Sequence, residues 1–204
     1  MNGLLKKLSL AASVAAAALT LSATYAHAQG IYIVQGGRTT ITLSDAFLAD
    51  LATAKITPTA IYDSQLYENK VFFPIASGEI DLANAAGQIQ HSGGITLTAG
   101  TKNIRLDSFT LTTTGEESYI TALAIANGKL VGRINLFDVE LSSDLKFPLA
   151  PENGIFFISG DKLNLDPAGA AALNDAFGVK TFEDNLYVGY AGSAVFVPLA
   201  ADGL

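Results

Sequence analysis

The chain has 204 residues, 50% of them hydrophobic and 15% charged, with 12 Lys and Arg against 19 Asp and Glu for a net charge of −7. This acidic balance disfavours nucleic acid and anionic membrane surfaces as partners, because both are held by clustered Lys and Arg. No cysteine is present, which excludes disulfides, thiolate metal sites and a lipid-modified N-terminal cysteine, so stability has to come from a packed core.

Residues 1–28 read as a secretory signal peptide. Lys6 and Lys7 precede an Ala/Leu-rich run, and Ala26-His27-Ala28 places small residues at the first and third positions before a cut. Ser9, Ser13 and Thr20 interrupt the apolar stretch, which is shorter than the roughly 20 residues that cross a bilayer, so an h-region is expected and no transmembrane segment. The mature chain is expected to start at Gln29 and to be exported to the cell surface, the medium or the periplasm. Residues 29–204 suit one domain with a sizeable core.

Immediately after the cleavage site, Ile31, Tyr32, Ile33 and Val34 form an apolar β-like strand followed by Gly36-Gly37. Such a strand suits addition to a neighbour's open sheet edge, or pairing within its own sheet. Alternation of apolar and polar residues, rich in Thr and Ile, predicts strands over residues 39–43, 71–75, 88–97 and 102–112. A helix starts after Ser44 and gathers Phe47, Leu48 and Leu51 on one side. At Asp107-Ser108 the apolar parity switches from Ile104 and Leu106 to Phe109 and Leu111, which predicts a bulge. Asn127-Gly128, between apolar runs at 119–126 and 129–141, predicts a type I′ hairpin, and a phase change near Leu136-Phe137 predicts a second bend. Residues 148–154 read as a turn-rich loop within the domain. The second helix has Asp166 as N-cap, Pro167 at its first position, Leu173 and Phe177 on a common face, and Gly178 to close it.

Each helix lies in a similar setting. Ile41-Thr42-Leu43-Ser44 resembles Leu163-Asn164-Leu165-Asp166, and Leu66-Tyr67 resembles Leu186-Tyr187. The fold class expected is mainly β, an antiparallel β-sandwich or partly closed barrel with two short helices and pseudo-symmetric halves.

No set of residues reads as a catalytic centre. His91 is the single histidine after processing; next to Gly93-Gly94 it could reach a metal or haem iron, or bond a turn carbonyl. Neither Ser92 nor Ser193 has the context of a nucleophile elbow. Residues 161–166 lack the glycine and terminal Glu of a calcium loop, and Glu116-Glu117 after Gly115 fits a solvated turn. The chain is expected not to be an enzyme.

Four stretches resemble HtaA-like domains of bacterial surface and secreted proteins: Phe72-Phe73-Pro74-Ile75, the run Gly87-Gln88-Ile89-Gln90-His91-Ser92-Gly93-Gly94, the segment Gly132-Arg133-Ile134-Asn135-Leu136-Phe137-Asp138, and the last helix with Phe177-Gly178. The resemblance implies haem as a ligand and places His91 at a family histidine implicated in that binding. The family's haem-ligating tyrosine follows a phenylalanine in the first helix, where this chain has Asp50 after Phe47. Tyr62 or Tyr67 would then be the substitute. The expected function is a secreted, non-enzymatic module binding haem or a small apolar ligand between sheet and helix. The alternative is a structural or adhesive protein assembling through Ile31, Tyr32, Ile33 and Val34.

Overall fold

A computed structural model describes residues 30–114 and 117–199. The signal segment lies outside the described residues. From the N-terminus come β1 (Ile31–Val34), β2 (Gly36–Leu43), helix α1 (Asp45–Thr53), β3 (Thr57–Ile61), β4 (Gln65–Tyr67), β5 (Lys70–Asp81), β6 (Gly87–His91) and β7 (Gly94–Ala99). They are followed by β8 (Lys102–Thr113), β9 (Ser118–Ala126), β10 (Lys129–Glu140), β11 (Ile155–Leu165), helix α2 (Pro167–Phe177) and β12 (Tyr187–Phe196).

Eight of these strands close into an antiparallel barrel in the order β2, β12, β11, β10, β9, β8, β6, β5 and back to β2. The architecture is the barrel and not the sandwich, and it is closed. Closure depends on two strands long enough to serve two neighbours along one edge. On one edge β5 pairs β4 through Lys70, Val71 and Phe72 and then β6 from Ile75 to Ile80. On the facing edge β8 pairs β7 through residues 102–107 and then β6 through residues 110–113. Below β6 the barrel wall therefore forks, with β4 on one arm and β7 carrying β3 on the other. The sheet run expected over residues 88–97 is two strands, broken at Ser92-Gly93 where the chain leaves β6 for β7. Gly93 adopts φ +83°, a region that L side chains avoid.

The local signals of the sequence appear as geometry. Ser44 caps α1 by accepting from the Phe47 amide at 3.1 Å, and Asp166 caps α2 by accepting from the Ala168 amide at 2.7 Å. Gly178 ends α2 in the left-handed conformation. Asn127 and Gly128 have φ of 50° and 78°, as a type I′ turn requires. The pairing register slips between Asp107 and Thr110 in β8, with Ser108 at φ 52°, and again between Asn135 and Phe137 in β10. The two helical units differ in their pairing: Leu66-Tyr67 lies in β4, which pairs β5, whereas Tyr187 opens β12, which pairs β11 and so folds back on the strand before its own helix.

Alternation on the barrel strands sends one residue in two inward, and the interior divides into two apolar clusters. The larger contains Ile41, Phe47, Leu51, Phe73, Leu106, Phe109, Leu173 and Phe177 and is closed by both helices. The smaller contains Val34, Ile75, Ile80, Ile89, Leu149, Phe156, Ile158 and Val195; the 148–154 loop covers it, with the Leu149 amide donating to the Leu82 carbonyl at 2.6 Å.

Candidate functional site

At the boundary of the two clusters the inward alternation places polar residues. On β2, Thr39 precedes Ile41 of the larger cluster; on β12, Ser193 stands between Ala191 of the larger and Val195 of the smaller. Thr39 and Ser193 are directly opposite across the β2–β12 ladder. Their hydroxyls are 2.8 Å apart, and Thr39 Oγ1 is 2.7 Å from His91 Nε2. His91 ends β6 opposite Ile75 of β5, so its ring passes inside β5 to reach β2.

His91 is only 8% exposed, and its Nδ1 is buried with no hydrogen-bond partner. Burial lowers the pKa of the imidazole from 6.5 to about 4, because the charged ring would lose its hydration; the Phe109 backbone pulls weakly the other way without forming a well-shaped hydrogen bond to Nδ1. The ring is neutral at physiological pH. The side chain that the ring meets is the Thr39 hydroxyl, and the Phe109 backbone, beside the β8 bulge, stands in the place of the turn carbonyl considered from sequence. Thr39 carried no signal as a site residue, since it lies 52 positions from His91 and reads as an ordinary strand threonine.

Outside the ring, the fork of the wall leaves an open depression lined by Tyr62, Asp63, His91, Ser92, Gly93, Asp107 and Ser108. Three local features build it. The turn between β3 and β4 puts Tyr62 at φ 56° and leaves the residue 68% exposed. Ser64, two residues on, packs against Gly93 so closely that no Cβ fits there, and its hydroxyl is buried without a partner. The bulge in β8 presents Ser108 while Asp107 stays buried beside Arg105, at 3.0 Å. The polar trough continues past His91 to Gln88, Gln90, Thr110, Tyr119 and Arg133 on β6, β8, β9 and β10.

Of the sequence-selected residues, His91 and Tyr62 thus share one depression. Tyr67, 67% exposed on β4, does not line it, and neither does Asp50, half-buried on α1. The space between helix and sheet, where a ligand was expected, is an apolar cavity of about 60 Å³ lined by Phe47, Leu51, Phe73, Phe109, Leu173 and others. Ligand pockets run to roughly 300–1,000 Å³, so this one is a packing gap. Among the described residues, no group of three or more His, Cys, Asp and Glu side chains could hold a metal ion, and no helix is long and apolar enough to cross a membrane.

Solved structures share this architecture. The fold matches the C-terminal domain of HtaA from Corynebacterium glutamicum with a TM-score of 0.65 at 15% identity, covering 82% of this chain and 99% of that domain. This is an HtaA-like domain fold. The N-terminal domain of the same HtaA gives a TM-score of 0.62 at 14% identity, over 81% of this chain and 99% of that one. The haem-binding protein HtaB from the same organism gives 0.57 at 8% identity, over 83% and 96%. No family model matches the sequence, and no curated protein does. The HtaA-like fold is therefore kept here with little of its neighbours' sequence.

Proposed function

We propose that this chain is an exported, non-enzymatic binding module whose ligand is haem, taken at the depression beside His91 with Tyr62 as the iron ligand. One observation carries this: Tyr62 and His91, distant in sequence, line the same open depression. The shared fold with a haem-binding protein, HtaB, is consistent with it. The residues present suit the group in kind. An exposed tyrosine and a buried, neutral imidazole on one depression supply an oxygen ligand and a second polar contact, and the depression is open where the interior cavity is only about 60 Å³. When bound, haem would supply an iron that a tyrosine oxygen can hold, the part assigned to Tyr62. Titrating haemin into the purified protein tests the reading. A saturable Soret shift at one haemin per chain is expected, and a spectrum equal to that of free haemin would overturn it.

A second reading, self-association, is favoured by Ile31 and Ile33, which are 67% and 60% exposed on β1. β1 is not free for donation: it pairs antiparallel with residues 78–81 of β5 in its own sheet. Its outer edge has no partner strand among the described residues, so a second copy would pair with β1 in place and not exchange it.

A further inference from the structure

Among the described residues that line the depression and its trough, Arg133 is the only basic one, and its exposed guanidinium is only partly used. Nη1 donates to the Ser108 carbonyl at 2.9 Å and to Thr121 Oγ1 at 3.0 Å, which commits both of its hydrogens. Nε and Nη2 have no protein acceptor among the described residues, and no described carboxylate pairs with Arg133 although the chain has 19 acids against 12 bases. A guanidinium anchored through one nitrogen and open along its Nε–Nη2 edge suits a two-oxygen acceptor, because its donors match a carboxylate in pairs. Charge along the surface is uneven. Asp63 and Asp107 line the depression at Tyr62, with Asp107 paired to Arg105, whereas the trough around Arg133 is lined by no described acid. His91, Ser92 and Ser108 line both, so Arg133 is bonded to a residue that also borders the depression. We infer that Arg133 is a binding residue for a carboxylate of the ligand, so that a ligand held at Tyr62 lies with its acidic edge toward β9 and β10. Asp63 at the opposite end disfavours the reverse orientation, since like charges repel.

The identity of the ligand rests on the haem reading, in which the acidic edge is the pair of propionates. Titration of the full chain with haemin, with haemin dimethyl ester, whose propionates carry no charge, and with iron-free protoporphyrin IX tests the inference. Arg133→Gln should weaken haemin and protoporphyrin about 5-fold, the upper end for an exposed ion pair and the level that fork geometry supports, and should leave the dimethyl ester unchanged. Arg133→Lys keeps the charge without the fork and should fall between the two. Added salt should weaken haemin binding by the unaltered protein more than by Arg133→Gln. An equal loss for ester and free acid in Arg133→Gln would mean that Arg133 acts only by tying the β8 bulge to β9 through Ser108 and Thr121, and would overturn the inference; so would an unchanged haemin affinity. If haemin gives no Soret shift while protoporphyrin binds in an Arg133-dependent way, the carboxylate role stands and Tyr62 as iron ligand falls. If no porphyrin binds, both fall.

Discussion

At the scale of single residues, the environment of His91 makes a pH prediction with a definite sign. Its folded pKa, about 4, is below the unfolded 6.5, so the unfolded chain binds the proton more tightly. The stability due to the neutral ring is present above pH 6.5 and is lost as pH falls toward 4. At about 1.4 kcal/mol per unit, this amounts to about 2 kcal/mol between pH 7 and pH 5. Urea unfolding across that window should show the loss in the unaltered protein and a flatter profile in His91→Gln; equal slopes would mean that the ring is solvated. In the sequence His91 stands out as a lone histidine beside two glycines. Thr39 and Ser193 do not, because their meeting arises from ladder pairing across 154 positions and neither residue is unusual in its own strand.

Secondary-structure elements were legible wherever a single residue type decides a local geometry, as at Ser44, Asp166, Gly178 and Asn127-Gly128. The break at Ser92-Gly93 was not. Ile89, His91, Ile95 and Leu97 keep one parity through it, so the alternation reads as a single strand. Asn127 shows how one residue can serve two elements. Its side chain accepts from the Asn103 amide at 2.8 Å and donates to the Ala176 carbonyl at 2.9 Å, holding the C-terminus of α2 together with Lys102, whose Nζ donates to the Phe177 carbonyl at 2.6 Å. Asn127→Gly keeps the turn and should cost about 1–2 kcal/mol through the lost bonds. Asn127→Ala adds a strained positive φ and should cost more; thermal unfolding that ranks the two the other way would contradict the double role. At the crossover, a Cβ on Gly94 would lie 2.6 Å from the Leu106 carbonyl. Gly94→Ala is accordingly expected to destabilise the fold in the same thermal measurement.

For the whole molecule, barrel closure was beyond the sequence. It depends on β6 bridging β5 and β8, a pairing that no local pattern announces, whereas strand content and both helices followed from periodicity and caps. The open edge of β1 makes a molecular-scale prediction. Light scattering of the full chain should reveal a concentration-dependent dimer that Ile31→Lys with Ile33→Lys abolishes without unfolding, since charges on an edge strand oppose pairing. A monomer at every concentration would end the self-association reading.

The central claim is that Tyr62 and His91 together make the site, with Tyr67 playing no part although it is equally exposed. Comparison of the haemin absorbance spectra of Tyr62→Phe and Tyr67→Phe tests this most directly. The account predicts that Tyr67→Phe reproduces the unaltered spectrum and that Tyr62→Phe loses the bound form. Loss of binding in Tyr67→Phe, or a bound spectrum unchanged in Tyr62→Phe, would contradict it.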